Sequence, residues 1–181
     1  MDEARLLMAA RMFDQDALKT IFDSYAPVIY KYALRLCHVV IEADNIVGDV
    51  FALFLEQLAK GKGPTTNLRA YLFQIAYHVI VDQARDRRHT TQLDVADFRG
   101  EYASPVVLQA EENAALDIII NVMYTELSHD QSHILILRFV EGFSIHETAE
   151  IVHKSINNVK VIQNRALKKL RKILNQKYEM K

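Results

Sequence analysis

Two serine-capped helix starts, Ser144 and Ser155, constrain this chain more than any other feature. Ser144-Ile145-His146-Glu147 is a capping box: the Ser oxygen accepts an orphan backbone N–H of the first turn, and the Glu reaches back to the N-cap N–H. Ser144 to Val152 therefore reads as a short helix with Ile145, Ala149, Val152 and Ile151 inward, and His153-Lys154 reads as a turn. Ser155 to about Leu174 reads as a second, longer helix. A short helix, a tight turn and a longer helix form the helix-turn-helix pattern, whose second helix lies in the DNA major groove.

The chemistry of that second helix fits the same reading. Val159, Ile162, Ala166, Leu170 and Ile173 recur at spacings of 3, 4, 4 and 3, which marks one buried stripe. Asn157, Asn158, Lys160, Val161, Asn164, Arg165 and Lys168 are left facing outward. Asn pairs bidentately with adenine, Lys or Arg with guanine, and the same cations neutralise phosphates. Asn157, Asn158, Val161 and Asn164 are the expected base readers. Lys160, Arg165, Lys168 and Lys169 are the expected phosphate contacts, with Ser155 opening the DNA-facing set. The plainer reading is a solvated basic face; the capped helix and short turn in front of it favour DNA.

Upstream, Ser128-His129-Asp130-Gln131 is another capping box, followed by a helix carrying Ile134, Leu135, Leu137 and Phe139 and stopping near Glu141-Gly142. Glycine there supplies the left-handed residue that a helix stop favours.

Net charge is −1 over 181 residues, which does not look like a DNA binder until its distribution is read. Lys154–Lys181 holds nine Lys or Arg and one acid, a local balance of +8, whereas the rest holds thirteen against twenty-two, a balance of −9. The basic end is the footprint of a phosphate contact. The acidic remainder would repel DNA unless another surface covered it.

Glycines number five and prolines three, strand-like alternation is absent, and apolar spacings of three and four recur. The fold class expected is all-α: two small helical domains joined by a flexible linker, the C-terminal one a helix-turn-helix. The breaks fall at Lys60–Asn67, a Gly/Pro loop, and at about Thr90–Val107, giving domains 1–90 and 112–181 with a linker over 91–111. No apolar run is long enough for a membrane span, and the acidic N-terminus lacks the order of a signal peptide, so a cytoplasmic protein is expected. The single cysteine, Cys37, sits among apolar neighbours and reads as a small core residue rather than a redox group.

In the N-terminal half, Glu42–Lys60 is amphipathic, with Ile46, Val47, Val50, Phe51, Phe54, Leu55 and Leu58 in one apolar stripe. Opposite lie Asn45, Asp49, Leu53 and Glu56. A leucine on an acidic face suggests a protein-binding surface, although single exposed leucines are ordinary. Asn67 to about Arg88 is a further helix, with Leu68, Leu72, Ile75, Ala76, Val79 and Ile80 apolar. It mixes Tyr71, Tyr77 and His78 with Arg69, Gln74, Arg85, Arg87 and Arg88. Aromatics interleaved with cations suit a platform on which unpaired bases stack; the alternative is a core helix with buried tyrosines and a basic end favoured by its dipole.

Three segments together resemble the extracytoplasmic-function (ECF) group of bacterial RNA polymerase sigma factors: EADNIVGDVF at 42–51, LRAYLFQIA at 68–76, and Leu127 to Leu170. The resemblance covers nearly the whole chain and implies roles that spacing does not show. Helix 42–60 would dock on the clamp helices of the polymerase β′ subunit through Asp44, Asn45, Asp49, Leu53 and Glu56. Loop 60–68 and helix 68–88 would capture a flipped base of the melted −10 element, with Tyr77 and His78 near it and Arg69, Tyr71, Gln74, Arg85, Arg87 and Arg88 in the same DNA-binding set. The third C-terminal helix would read the −35 element, and the linker would run through the polymerase toward its RNA channel. Partners implied are core RNA polymerase, through the β′ clamp helices and the β flap, promoter DNA and an anti-sigma factor. The chain departs from the family's frequent residues at Asn45, Gly48, Tyr71, Gln74, His78, His153, Ile162 and Leu167, and its 60–67 loop lacks the aromatic often found there.

Two other readings compete. One is a helix-turn-helix regulator that never binds core polymerase; segment 42–60 discriminates it. The other is an enzyme or metal protein. His129 and His133 lie i, i+4 on one helix, with His146 and His153 nearby in sequence, and such a pair binds zinc only with further ligands. No third ligand has suitable spacing, and no phosphate-cradling glycine loop, nucleophile elbow or paired catalytic carboxylates are present. The expectation is a non-enzymatic protein without cofactor or metal.

Overall fold

The structure is a computed structural model, and it describes residues 3–91 and 114–178, with side chains for 3–86 and 115–176. The described residues are helical apart from short connecting turns, and no helix among them is long and apolar enough to cross a membrane. The chain divides into two compact units, one up to Tyr102 and one from Ala103. The linker expected over 91–111 lies outside the described residues apart from Thr91.

The first unit holds α1 (Glu3–Arg11), α2 (Gln15–Cys37), α3 (Val40–Ala59) and α4 (Leu68–Thr91). Asp14 caps α2 by accepting from the Ala17 N–H at 2.9 Å, and His38 ends it in the left-handed region at φ 58°. Helices α2, α3 and α4 pack on one another, and α1 lies against α2 and α3. Their shared core contains Ile21, Ile29, Tyr32, Ile46, Phe54, Leu68, Leu72 and Phe73, all fully buried. The Tyr32 and Phe73 rings meet at 5.0 Å and 53°, a tilted geometry that suits two ring quadrupoles. Cys37 is core as expected, 6% exposed, with its Sγ–H donating to the Val39 carbonyl at 3.4 Å. Leu55, expected in the buried stripe of α3, is instead 39% exposed at the margin of that stripe.

The second unit holds α5 (Ala114–Glu126), α6 (His129–Leu135), a π-helical turn (Ile136–Val140), α7 (Ile145–Ile151) and α8 (Ile156–Tyr178). Both expected capping boxes are formed. Ser128 and Gln131 exchange hydrogen bonds of 3.4 and 3.1 Å, and Ser144 and Glu147 exchange bonds of 3.2 and 2.8 Å. Gly142 sits at φ 75°, the conformation a helix stop needs.

The π-helical turn was not anticipated. The Glu141 N–H reaches back five residues to the Ile136 carbonyl at 2.9 Å, which inserts one residue into the helical register. Phe139, within this turn, is 56% exposed, while Ile134 to Leu137 are fully buried.

His133 is fully buried between those apolar residues, and its imidazole pKa is lowered to about 3, first by desolvation and then by the charge of His129. The neutral form is favoured in the folded state, so the unfolded chain binds more protons between pH 6.5 and 3. Stability from this group is complete above pH 6.5 and is lost as pH falls toward 3. Between pH 7 and pH 5 the loss is about 2 kcal/mol. Urea unfolding followed through the NMR signals of α6 at both pH values should show this drop, and His133→Leu should remove it.

Gly48 lies mid-helix in α3, and a Cβ added there meets nothing within 4 Å. Gly48→Ala should stabilise the first unit by ~1 kcal/mol through helix propensity, raising its thermal midpoint by a few degrees in circular dichroism.

Candidate nucleic-acid interface

The second unit is organised around the inner face of α8. Val159 and Ala166 are fully buried and Leu170 nearly so, facing α6 and α7. Burying an aliphatic side chain of that size contributes roughly 1–3 kcal/mol, so the rotation of α8 about its axis is fixed. The Asn158 N–H donates to the Ser155 Oγ at 3.2 Å, which caps the helix where the serine was expected to do so.

Three polar ties hold α8 in place. Arg138, from the π-helical turn, donates from Nε to the Gln163 Oε1 at 3.2 Å and from Nη1 to the Phe143 carbonyl. Lys154, in the turn before α8, pairs with Asp130 of α6 at 3.1 Å. Lys169 donates to the Glu126 carbonyl at the C-terminus of α5, where the helix dipole favours a cation. His153 makes the turn itself at φ 50°, a left-handed conformation uncommon outside glycine, in which Asn, Asp and His are the enriched side chains.

With that rotation set, every residue expected to face DNA is exposed: Ser155, Asn157, Asn158, Lys160, Val161, Asn164, Arg165, Lys168 and Lys169. The amides, Val161 and the cations share the wet side of one helix. Such a strip offers paired donors and acceptors, one apolar contact for a thymine methyl, and positive charge for flanking phosphates. Lys169 differs from its neighbours because its ammonium already reaches Glu126.

In the first unit, Asp44, Asn45, Asp49, Leu53 and Glu56 all lie exposed on α3, with Leu53 at 38%. Asp49 accepts from the Gln83 Nε2 of α4 at 3.2 Å, and Glu56 pairs with Lys60 one turn on. That pair is half-exposed and contributes little to stability. An acidic, partly apolar face remains pointed at solvent.

The residues expected on α4 separate into two sets. Tyr71, Gln74, His78 and Arg85 follow a spacing of 3, 4 and 7, which places them on one side of the helix. His78 and Arg85 are exposed, Tyr71 and Gln74 half-buried, and burial raises the Tyr71 phenol pKa so that it stays neutral. Arg85 pairs with Asp82 at 3.5 Å. Arg69 lies on the other side, and Tyr77, three residues past Gln74, lies at the edge of the first side that turns into the core. The Arg69 guanidinium stacks over the Phe73 ring at 5.1 Å, and Tyr77 is in the core at 7% exposure, its ring edge against His78 at 5.6 Å. The side chains of Arg87 and Arg88 lie outside the described residues. His129 is on the surface and His133 inside, and no cluster of three or more metal-ligating side chains occurs among the described residues.

Sequence reasoning missed the residues that aim these surfaces rather than form them. Arg138 and Gln163 carry no periodic signal, and their contact joins residues 25 apart in sequence. Arg11 and Glu3, which tie α1 to the loop before α4, are equally silent in the sequence.

Comparison with known proteins agrees with the geometry. Residues 21–90 match the sigma-70 region 2 family and residues 125–172 match sigma-70 region 4, so the two matches together take in more than half of the chain. The chain is 26% identical over 165 residues to the ECF RNA polymerase sigma factor SigX of Bacillus subtilis, covering 87% of this chain and 84% of that protein. It shares its fold with the sigma factor RpoE of Bartonella quintana, solved with the anti-sigma factor NepR, at a TM-score of 0.68, 23% identity and coverage of 87% and 96%. It shares it also with CnrH, solved with the cytosolic domain of CnrY, at 0.71, 19%, 96% and 97%. With region 2 and region 4 in that order, the second carrying a capped helix-turn-helix, the chain belongs to the ECF group of sigma-70 factors of RNA polymerase.

Proposed function

We propose that this protein directs promoter-specific transcription initiation as an ECF sigma factor. It works as a binding subunit, not a catalyst, and its place of work is the cytoplasm. The observation that carries this reading is that one chain holds both sigma regions in order. A helix-turn-helix regulator that never engages polymerase has no use for a region 2, which weighs against that alternative.

The roles divide by unit. Residues 1–90 bind core polymerase and the −10 element, residues 112–181 bind the −35 element, and 91–111 joins them. The acidic face of α3, with Asp44, Asn45, Asp49, Leu53 and Glu56, meets the β′ clamp helices, and region 4 meets the β flap. The excess of acids, eleven against two Lys or Arg, falls in residues 91–153, so residues 1–90, with eleven of each, do not repel DNA through their net charge. On α4, Tyr71, Gln74, His78 and Arg85 form the side offered to the melted strand, with Arg69 nearer the loop. Tyr77 supports His78 from beneath. On α8, Asn157, Asn158, Val161 and Asn164 read bases, and Lys160, Arg165 and Lys168 hold phosphates. An anti-sigma factor is the expected antagonist, since two solved fold relatives include sigma factor complexes of that kind or with a cytosolic partner domain.

Run-off transcription with core polymerase over a library of promoters tests the reading and returns the sequence preference. Transcripts should depend on both protein and promoter; no initiation on any template would overturn it. Within that assay, Arg165→Ala and Lys168→Ala should weaken promoter binding on all sequences and each reduce the salt slope by about one. Asn158→Ala should instead relax preference at one base pair of the −35 element, by about 1–3 kcal/mol of discrimination. Unaltered salt dependence in the cation variants would count against the docking of α8.

A further inference from the structure

Helix α1 belongs to none of the three surfaces described above, yet both of its ends reach one short segment. At its start, the Glu3 carboxylate accepts from the backbone N–H of Leu68, the first residue of α4, at 2.8 Å. At its end, the Arg11 Nη2 donates to the carbonyls of Gly63 at 2.8 Å and Pro64 at 3.1 Å. These partners bracket Thr65, Thr66 and Asn67, all exposed. The contacts bridge 52 to 65 residues of sequence, so they are features of the fold and not of local turn chemistry.

Each contact meets a physical need. The first N–H groups of a helix have no partner within it, and a carboxylate there also complements the dipole. Loop carbonyls ordered by a guanidinium no longer sample alternatives, so the entropy of ordering them is not met again when a ligand arrives. The rest of the loop is fitted to the same shape. A Cβ on Gly63 would stand 2.4 Å from the Leu58 Cδ2, Pro64 is buried, and Asn67 sits at φ 51° with its Oδ1 accepting from the Ala70 N–H at 3.2 Å. Helix α1 is itself held, with Leu7 and Ala10 buried where it lies against α2 and α3. It can therefore act as a splint.

We propose that α1 is a positioning element for promoter opening: Arg11 and Glu3 preset residues 63–68 in the shape that receives an unpaired base of the −10 element. This rests on the reading of loop 60–68 as the capture loop. Arg11 and Glu3 touch no nucleotide; they act through the Gly63 and Pro64 carbonyls and the Leu68 N–H.

The test uses the full chain reconstituted with core polymerase on a promoter recovered from the run-off library. Opening is followed by 2-aminopurine fluorescence at the −10 position, and strand capture by a labelled single-stranded oligonucleotide of the non-template −10 sequence. Core affinity, affinity for a −35 duplex and the thermal midpoint are measured beside them. Arg11→Ala and Glu3→Ala should each lower opening rate and strand affinity about tenfold, with core and −35 affinities unchanged. Arg11→Gln keeps an N–H donor without the charge and should recover part of the loss, with no variant changing the salt slope. Full rescue by Arg11→Lys together with a salt slope reduced by about one in Arg11→Ala would make Arg11 a phosphate contact and overturn the proposal. Equal losses at the −10 strand, the −35 duplex and the core, with a lowered midpoint, would overturn it as general destabilisation, and unchanged opening would overturn it outright. If the unaltered protein itself fails to open the promoter or capture the strand, the capture-loop reading fails and takes the proposal with it, an outcome told apart because it precedes any substitution.

Discussion

Burial of Val159 and Ala166 in the second unit decides which side of α8 meets water. A helix that hides one stripe has no choice about the other. Once those two small residues are sealed, the amides and cations of α8 must project together, at the pitch of one helical turn. The Arg138 bridge, the Lys154–Asp130 pair and the Lys169 contact then tie the helix to its neighbours. Under the proposed docking, recognition of a groove is set by packing on the far side of α8.

The same logic runs through the first unit with the opposite charge. Helix α3 hides Ile46, Val50 and Phe54 and so presents Asn45, Asp49, Leu53 and Glu56. An acidic face and a basic face on one chain of net −1 cannot both serve the same polyanion. One of them needs a protein surface, and a sigma factor stands between polymerase and promoter.

Much of this was legible in the sequence, because it rests on short-range rules. The capping boxes at Ser128 and Ser144, the stop at Gly142, the left-over face of α8 and the buried Cys37 each follow from residues within one or two turns of each other. What could not be read depends on contacts between distant residues or on a break in register. Phe139 lies exposed within a π-helical turn that no residue type announces. Leu55 sits at the edge of a stripe, where spacing alone does not say how far the neighbouring helix extends. Tyr77 and Tyr71 look alike in sequence, but the rotation of α4 between them puts one in the core and the other at its margin. The α1 ties to loop 60–68 join residues more than fifty positions apart and leave no local trace.

Cys37 has a practical meaning. The thiol is closed off from solvent and held by the Val39 carbonyl, so little of it is exposed to form the reactive thiolate. A second sulfhydryl introduced at an exposed position such as Ser24 or Asn121 would react with a maleimide dye or spin label well ahead of it. The chain is therefore close to a ready-made background for labelling, and with one introduced sulfhydryl in each unit the distance between them can be followed as promoters open without first rebuilding the core.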